Sequence, residues 1–352
     1  MNQSIQLPVP SNRQFTRKQF RYLVLILVLV ILALYWIFSQ VPFEGIASVL
    51  SRIELLQILG LMFINIALLI VYNLRWWVIL KQFGSSISYP RLMVYRLAGY
   101  ALSYFSPGPQ IGGEFYQAYM LQTRHDVTRE IAFSSVLLDR VVDVMVNFTF
   151  LFMGLITLLI SGIIITFGGP ISWFTLGFIL ILPGLHSLSL YRGVYPMGFL
   201  VGRTIGRSKI RFLVQISETI IHTEKKLGWV MQKKTSLIVF GVLISLCMWL
   251  IMILEYVFIL TILGINPSVM DVVMGLTAAR FAYMVTPLPG GLGGYEASQV
   301  FAMQMIGSEA AIGVAISLIV RARDLVWGVA GIGLGGWSWL KKEFPIKIPA
   351  NE

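Results

Sequence analysis

Residues 286–296 read Thr-Pro-Leu-Pro-Gly-Gly-Leu-Gly-Gly-Tyr-Glu (TPLPGGLGGYE). Two prolines and four glycines stop a helix here. Proline has no N–H to give, and glycine loses the most freedom when held helical. A carboxylate, Glu296, follows at once. Apolar residues 272–286 lead into the break, and a short helix-like stretch, 296–306, leads away. Neither arm holds the roughly 20 apolar residues of a crossing helix. The economical reading is a re-entrant hairpin, 272–306, that enters and leaves on one side of a membrane. A broken backbone at that depth survives only where protein or a wet cavity satisfies its freed polar groups.

The rest of the chain fits a membrane setting. Its 352 residues are 57% hydrophobic and 12% charged, with mean hydropathy +0.80. A soluble domain carries about 25% charged residues. From Val144 to Tyr191, 48 consecutive residues include no Asp, Glu, Lys or Arg, which predicts two spans turning at Gly168-Gly169-Pro170. Six crossings follow: 22–39, 55–80, 131–165, 171–190, 236–263 and 309–339. The N-terminus is basic (Arg13, Arg17, Lys18, Arg21), then apolar from Tyr22 to Phe38. With no small-x-small cleavage site after it, this reads as a retained first span rather than a signal peptide.

A second hairpin, 92–122, is built like the first. Its apolar arm 92–105 meets the break PGPQIGGE (107–114), and a short stretch, 114–122, follows. Pro107, Gly108, Gly112 and Glu114 stand 182 residues before Pro289, Gly290, Gly294 and Glu296. Gly113 and Gly293 complete the two turns. RVVD (140–143) answers RARD (321–324) at 181 residues, and 55–80 maps onto 237–262. Several features in one order at nearly one spacing mark an internal repeat.

Lys and Arg orient the chain. With the N-terminus in the cytoplasm, 22 of the 27 fall on the inner side, including Arg75, Lys81, Arg91 and Arg96; only Arg52 falls outside. Arg140, Arg280, Arg321 and Arg323 lie in membrane segments. The two hairpins then enter from opposite sides. The expected fold is an all-α polytopic membrane protein: six transmembrane helices plus two re-entrant half-helix hairpins in an inverted repeat. The repeats are 20–160 and 161–340, between cytoplasmic tails 1–19 and 341–352, in the cell membrane. Inverted repeats often place substrate near the midplane, where broken helices meet. The second repeat carries a basic loop, 191–235. Within it, 210–230 reads as an interfacial helix or a linker packed on the protein.

Six carboxylates fall in or beside membrane segments: Glu114, Asp139, Asp143, Glu255, Glu296 and Asp324. Each costs about 2.5–3.5 kcal/mol on insertion scales, so partners are expected. Arg140 and Asp143 are three apart on one helix face, as are Arg321 and Asp324, and each couple can pair locally. The candidate substrate-binding set is Glu114, Arg140, Asp143, Glu296, Arg321 and Asp324. Arginine's planar fork suits phosphate oxygens, and each glutamate opens a half-helix. The plainer reading is that the Arg–Asp pairs hold the halves together. Glu255 meets Asn73 at the equivalent position and stays unassigned, as do Asp139 and Arg323.

Other signals are bland. The net charge of +11 is sorted by side rather than patched, which argues against nucleic acid. A lone Cys247 and three scattered histidines offer no metal site or cofactor anchor. Asn147-Phe148-Thr149 spells a glycosylation sequon inside a span. Gly331 and Gly335 form a helix-packing step. Trp76-Trp77, Trp337 and Trp339 read as interface anchors. GGLGG lacks the Lys-Ser/Thr of a nucleotide loop.

The first break with its Gly-Glu, LLDRVVD (137–143) and TPLPGGLGGYE together resemble the lysylphosphatidylglycerol synthase transmembrane-region family, over about residues 20–340. Family members commonly read Pro-Gly-x-x-Gly-Glu with Arg three residues on. Here an extra residue precedes Glu114, and Gln117 replaces that Arg. The resemblance implies lipid translocation. In two-domain members the membrane region flips an aminoacylated lipid that a soluble C-terminal domain makes, and residues 341–352 are too short for that domain. The expected cargo is a membrane lipid, anionic or polyprenyl-phosphate-linked. Two other roles stay open: presenting such a lipid to a membrane glycosyltransferase without transport, and an intramembrane enzyme using Glu114 and Glu296 as acid and base.

Overall fold

The computed structural model describes residues 51, 53–105, 112–160, 184–204 except 187, scattered positions from 214 to 233, 235–286 and 288–340. Every regular element among them is helical: α1 Leu55–Gln82, α2 Tyr89–Phe105, α3 Gly113–His125, α4 Arg129–Ile160, α5 Pro196–Thr204, α6 Thr235–Ile262, α7 Val269–Val285, a 3-10 turn Pro289–Gly291, α8 Gly294–Met305 and α9 Ala310–Leu340. Three stretches are long and apolar enough to cross a membrane: Leu55–Gln82, Arg129–Leu158 and Ser236–Ile262. Helix α9 is as long, but Arg321, Arg323 and Asp324 interrupt it within four residues. The expected spans 22–39 and most of 171–190 lie outside the described residues, as do Pro107 and Gly108.

The element lengths repeat. Helices α1, α2, α3 and α4 have 28, 17, 13 and 32 residues, and α6, α7, α8 and α9 have 28, 17, 12 and 31. Leu55 to Thr235 is 180 residues, and Gly113 to Gly294 is 181. The stops repeat as well. Helix α1 ends with Gly84 at φ +81°, its N–H on the Lys81 carbonyl at 3.0 Å and the Ser85 N–H on the Leu80 carbonyl at 3.2 Å. Helix α6 ends with Gly264 at φ +83°, bonding Thr261 at 3.1 Å while Ile265 bonds Leu260 at 2.9 Å. Both are Schellman stops, which need the left-handed residue that glycine supplies without strain.

Side-chain contacts fix the direction of each helix. In α1 and α6, Gly60 faces the Phe258 ring while Arg75 bonds Ser245, so these equivalent helices run antiparallel. Helices α4 and α6 run parallel, since Val142 meets Gly241 and Phe150 stacks on Trp249 at 3.9 Å. The two repeats interlock. Helix α9 lies on α2, with Gly328 against Phe105, Gly331 against Leu97 and Gly335 against Ala98. Helix α4 lies on α7 in the equivalent way, with Gly154 against Thr277. The Gly331/Gly335 step is therefore a packing seam within the molecule. Large side chains such as Leu56 and Phe63 on α1 turn outwards. Trp76, expected as an interface anchor, is instead fully buried and its indole N–H meets Ser135 Oγ at 3.4 Å. The indole is taken into the α1–α2–α4 core because Ser135 supplies its partner. The side chains of Trp337 and Trp339 lie outside the described positions.

At its described positions, the 210–230 stretch packs on the protein. Ser217 and Glu224 are buried, and Glu224 Oε1 accepts the Met197 N–H at 3.0 Å, capping α5.

A Cβ at Gly331 would sit 2.2 Å from the Leu97 carbonyl oxygen, whereas one at Gly333 meets nothing within 4 Å. Gly331→Ala is therefore expected to destabilise by about 1–3 kcal/mol. Gly333→Ala should stabilise by about 0.5–1 kcal/mol through helix propensity. Thermal unfolding of the two purified variants in detergent checks the opposite signs.

Candidate functional site

The site grows from the two hairpin starts. Gly112, at φ +152°, precedes α3, and Gly293, at φ +81°, precedes α8. In each case the following glutamate turns back on the backbone. Glu114 Oε2 accepts the Gly112 N–H at 3.0 Å, and Glu296 Oε2 accepts the Gly293 N–H at 2.8 Å. A carboxylate in a helix's first turn also sits well in the helix dipole. Each glutamate then pairs with an arginine on the next long helix: Glu114 Oε1 with Arg140 Nε at 3.5 Å, and Glu296 Oε1 with Arg321 Nε at 2.7 Å.

The two pairs differ in tightness. Arg321 also donates to the Gly290 carbonyl and, at 3.5 Å, to the Tyr104 hydroxyl across the repeat boundary. It thereby satisfies the broken tip of the second hairpin and ties it to α2. In the first half, the Arg140 and Glu114 side chains stay 33% and 25% exposed, so this pair is open to a neighbouring space.

Asp139 is the hub of the first half. It accepts Arg75 Nε at 2.7 Å and Arg96 Nη1 at 2.6 Å, joining α1, α2 and α4. Arg75 continues to Asp143 at 3.0 Å and to Ser245 Oγ at 2.8 Å, reaching the second half. Arg96 lies over the Tyr72 ring at 4.1 Å and donates to the Tyr72 carbonyl at 3.1 Å. In the second half, Arg323 Nη1 donates to both oxygens of Glu255, at 2.8 and 2.9 Å, and its Nε bonds Asp324 at 3.0 Å.

These contacts correct three expectations. Arg321 takes Glu296, while Asp324 takes its neighbour Arg323, because the guanidinium of Arg321 turns to the hairpin tip. Arg140 does reach Asp143, at 3.7 Å, but Arg75 holds Asp143 more closely. Arg75 and Arg96, counted on the inner side, are 1% and 3% exposed inside the helix cluster; a carboxylate from α4 draws them in. The helix ends also move the equivalence by two residues. Glu255 now faces Arg75 across the repeat, not Asn73, so one position carries opposite charges in the two halves.

A cavity of about 240 Å³ lies among these groups. Its wall pairs repeat-equivalent residues: Asn65 with Ser245, Leu69 with Trp249, Tyr72 with Met252, Tyr100 with Arg280, each 180 apart, and Asp143 with Asp324 and Val146 with Trp327, each 181 apart. Arg75, Arg96, Arg140 and Arg323 also face it. Arg280 is the residue that spacing did not single out. Its Nη2 lies 3.1 Å from Met252 Sδ and its guanidinium 5.0 Å from the Trp249 ring centroid, and no described carboxylate pairs with it. A smaller cavity of about 50 Å³ holds Glu114, Gln117 and Arg140. Of the expected set, Arg140, Asp143 and Asp324 line the large cavity and Glu114 the small one. Glu296 and Arg321 line neither. Among the described residues no group of His, Cys, Asp and Glu is gathered to hold a metal.

The family model of the lysylphosphatidylglycerol synthase TM region matches residues 23–333. The chain belongs to that family. It is thus an integral membrane protein. A UPF0104 membrane protein of Methanothermobacter thermautotrophicus is 24% identical over 300 residues, covering 82% of this chain and 87% of the relative. A second from that organism is 28% identical over 292 residues, covering 76% and 80%. One from Pyrococcus horikoshii is 22% identical over 328 residues, covering 86% and 92%. No solved structure matches the chain.

Asp139→Asn leaves two buried guanidiniums facing a neutral amide. Removing one partner of a buried pair costs about 3–5 kcal/mol, so this variant is expected to lose its monodisperse peak on size exclusion and to melt well below the parent.

Proposed function

We propose that the protein moves an amphiphile with an anionic, phosphorylated head group between the leaflets of the cell membrane, by rocking of two inverted repeats around the central cavity. In this reading α2–α3 and α7–α8 are re-entrant hairpins entering from opposite sides, and six helices cross. The observation that carries the reading is the cavity wall. Equivalent positions of both halves meet there, and Arg280 faces the space with a thioether and an indole in place of a carboxylate. A guanidinium without a counter-ion, away from water, is a seat for an anion, and its fork matches phosphate oxygens. Arg140, held only by contacts of 3.5 and 3.7 Å, is the second available cation. Apolar wall residues such as Leu68, Leu69 and Trp327 suit an acyl or prenyl chain. The antiparallel sense of α1 and α6 supports the inversion on which alternating access depends.

An enzyme that pairs Glu114 with Glu296 as acid and base finds less support. Each glutamate is tied into its own helix start and its own arginine, and no cavity described here contains both.

Reconstitution into vesicles tests the proposal. The parent protein is expected to move a fluorescent anionic phospholipid between leaflets. Arg280→Gln should slow that movement about 10-fold or more, the scale of losing hydrogen bonds to a charged group, with its melting temperature kept. Retained lipid binding with no movement by the parent would select the role of presenting lipid to a partner enzyme. Unchanged movement in both Arg280→Gln and Arg140→Gln removes the proposed site.

A further inference from the structure

A second chamber of about 220 Å³ adjoins the central cavity. Tyr100, Met252, Arg280, Arg323 and Asp324 line both spaces and form the partition between them. Beyond the partition the wall changes character. Tyr256, Tyr283 and Tyr295 join Tyr100, so four phenols surround the space. The Tyr283 and Tyr295 rings lie 5.0 Å apart, tilted by 44°. The Tyr256 hydroxyl is committed, donating to Gln299 Oε1 at 2.8 Å. Tyr295 is 4% exposed, and neither its hydroxyl nor that of Tyr283 bonds another described residue.

A chamber walled by aromatic rings suits either of two head groups. Ring faces hold an ammonium through their quadrupole. They also pack against the apolar faces of a polyhydroxyl ring while the phenol hydroxyls bond its rim. The charges in the wall decide between the two. Arg280 and Arg323 both face the chamber. Glu255 is spent, since both its oxygens accept from Arg323, and Asp324 is held by the same guanidinium. An ammonium would enter beside two cations with no free carboxylate to offset them. Hydroxyls meet no such repulsion and can accept from guanidinium N–H groups.

We infer that the tyrosine chamber receives an uncharged polyhydroxyl group, a sugar or polyol, joined through a phosphate that rests on Arg280 in the partition. The inference rests on the proposed anion site and adds the class of head group. The two chambers divide one ligand. The phosphoryl oxygens take the unpaired guanidinium, the hydroxyls take Tyr283 and Tyr295, and the apolar chain lies against Leu68, Leu69 and Trp327.

Three short-chain lipids separate the possibilities when titrated into the purified full chain. Dihexanoyl phosphatidic acid offers phosphate alone, dihexanoyl phosphatidylinositol adds a polyol ring, and dihexanoyl phosphatidylcholine adds a quaternary ammonium. The inositol lipid is expected to bind about 10-fold tighter than phosphatidic acid, the scale of one or two hydrogen bonds, and phosphatidylcholine weakest. A Tyr283→Phe/Tyr295→Phe double variant should erase the inositol preference and leave phosphatidic acid binding unchanged. Equal affinity for the two anionic lipids, tightest binding of phosphatidylcholine, or an undiminished preference in the double variant overturns the inference and leaves the anion site standing. Failure of phosphatidic acid to bind at all overturns the anion site, and this inference with it.

Discussion

A charged group placed between helices in hydrocarbon must find its counter-charge within the protein, since no water is there to serve. Asp139 meets that condition by taking Arg75 and Arg96 at once, and so joins three helices of the first half. Glu255 and Arg323 do the same for α6 and α9. Arg321 applies the rule to backbone, since it covers the Gly290 carbonyl freed by the break. Most of the polar interior is therefore structural. Its satisfied members hold the helices apart just enough to leave a cavity, and its less satisfied members, Arg280 and Arg140, are what that cavity offers.

The repeat explains why the cavity sits where it does. Two copies of one helix pattern, with α1 and α6 running in opposite directions, bring like positions together around their shared axis. Departures from likeness are then informative. Tyr100 meets Arg280, and Arg75 meets Glu255, so the two sides of one space have different chemistry. The first glutamate–arginine pair is loose and open where the second is tight and closed. A symmetric scaffold with asymmetric lining can hold a ligand in one orientation.

The break at 286–296, the hairpin arms and the repeat spacing were all legible, because proline, glycine and a lone carboxylate are strong local punctuation. The pairing of each hairpin glutamate with the arginine of the next long helix was not foreseen, although both partners had been singled out. Local spacing favoured the residue three positions away, and spacing cannot see a partner on another helix. Arg75 and Arg96 were misplaced for a related reason. A basic residue near the end of an apolar run looks like an interface residue until the buried Asp139 is seen opposite. Glu255 was unmatched because the alignment followed the turns, where the first half carries one extra residue, rather than the helix ends. Arg280 lacked any local signal, since its importance lies in having no partner.

The inverted relation of the two repeats is the claim on which the cavity's meaning depends. Ser86 and Asn266 sit 180 residues apart in equivalent exposed turns, after α1 and α6. Single Ser86→Cys and Asn266→Cys variants, made after replacing the exposed Cys247 with serine, can be labelled in intact cells with a membrane-impermeant thiol reagent. The account predicts that one site reacts from outside and the other only after the membrane is opened. Labelling of both from the same side would contradict it.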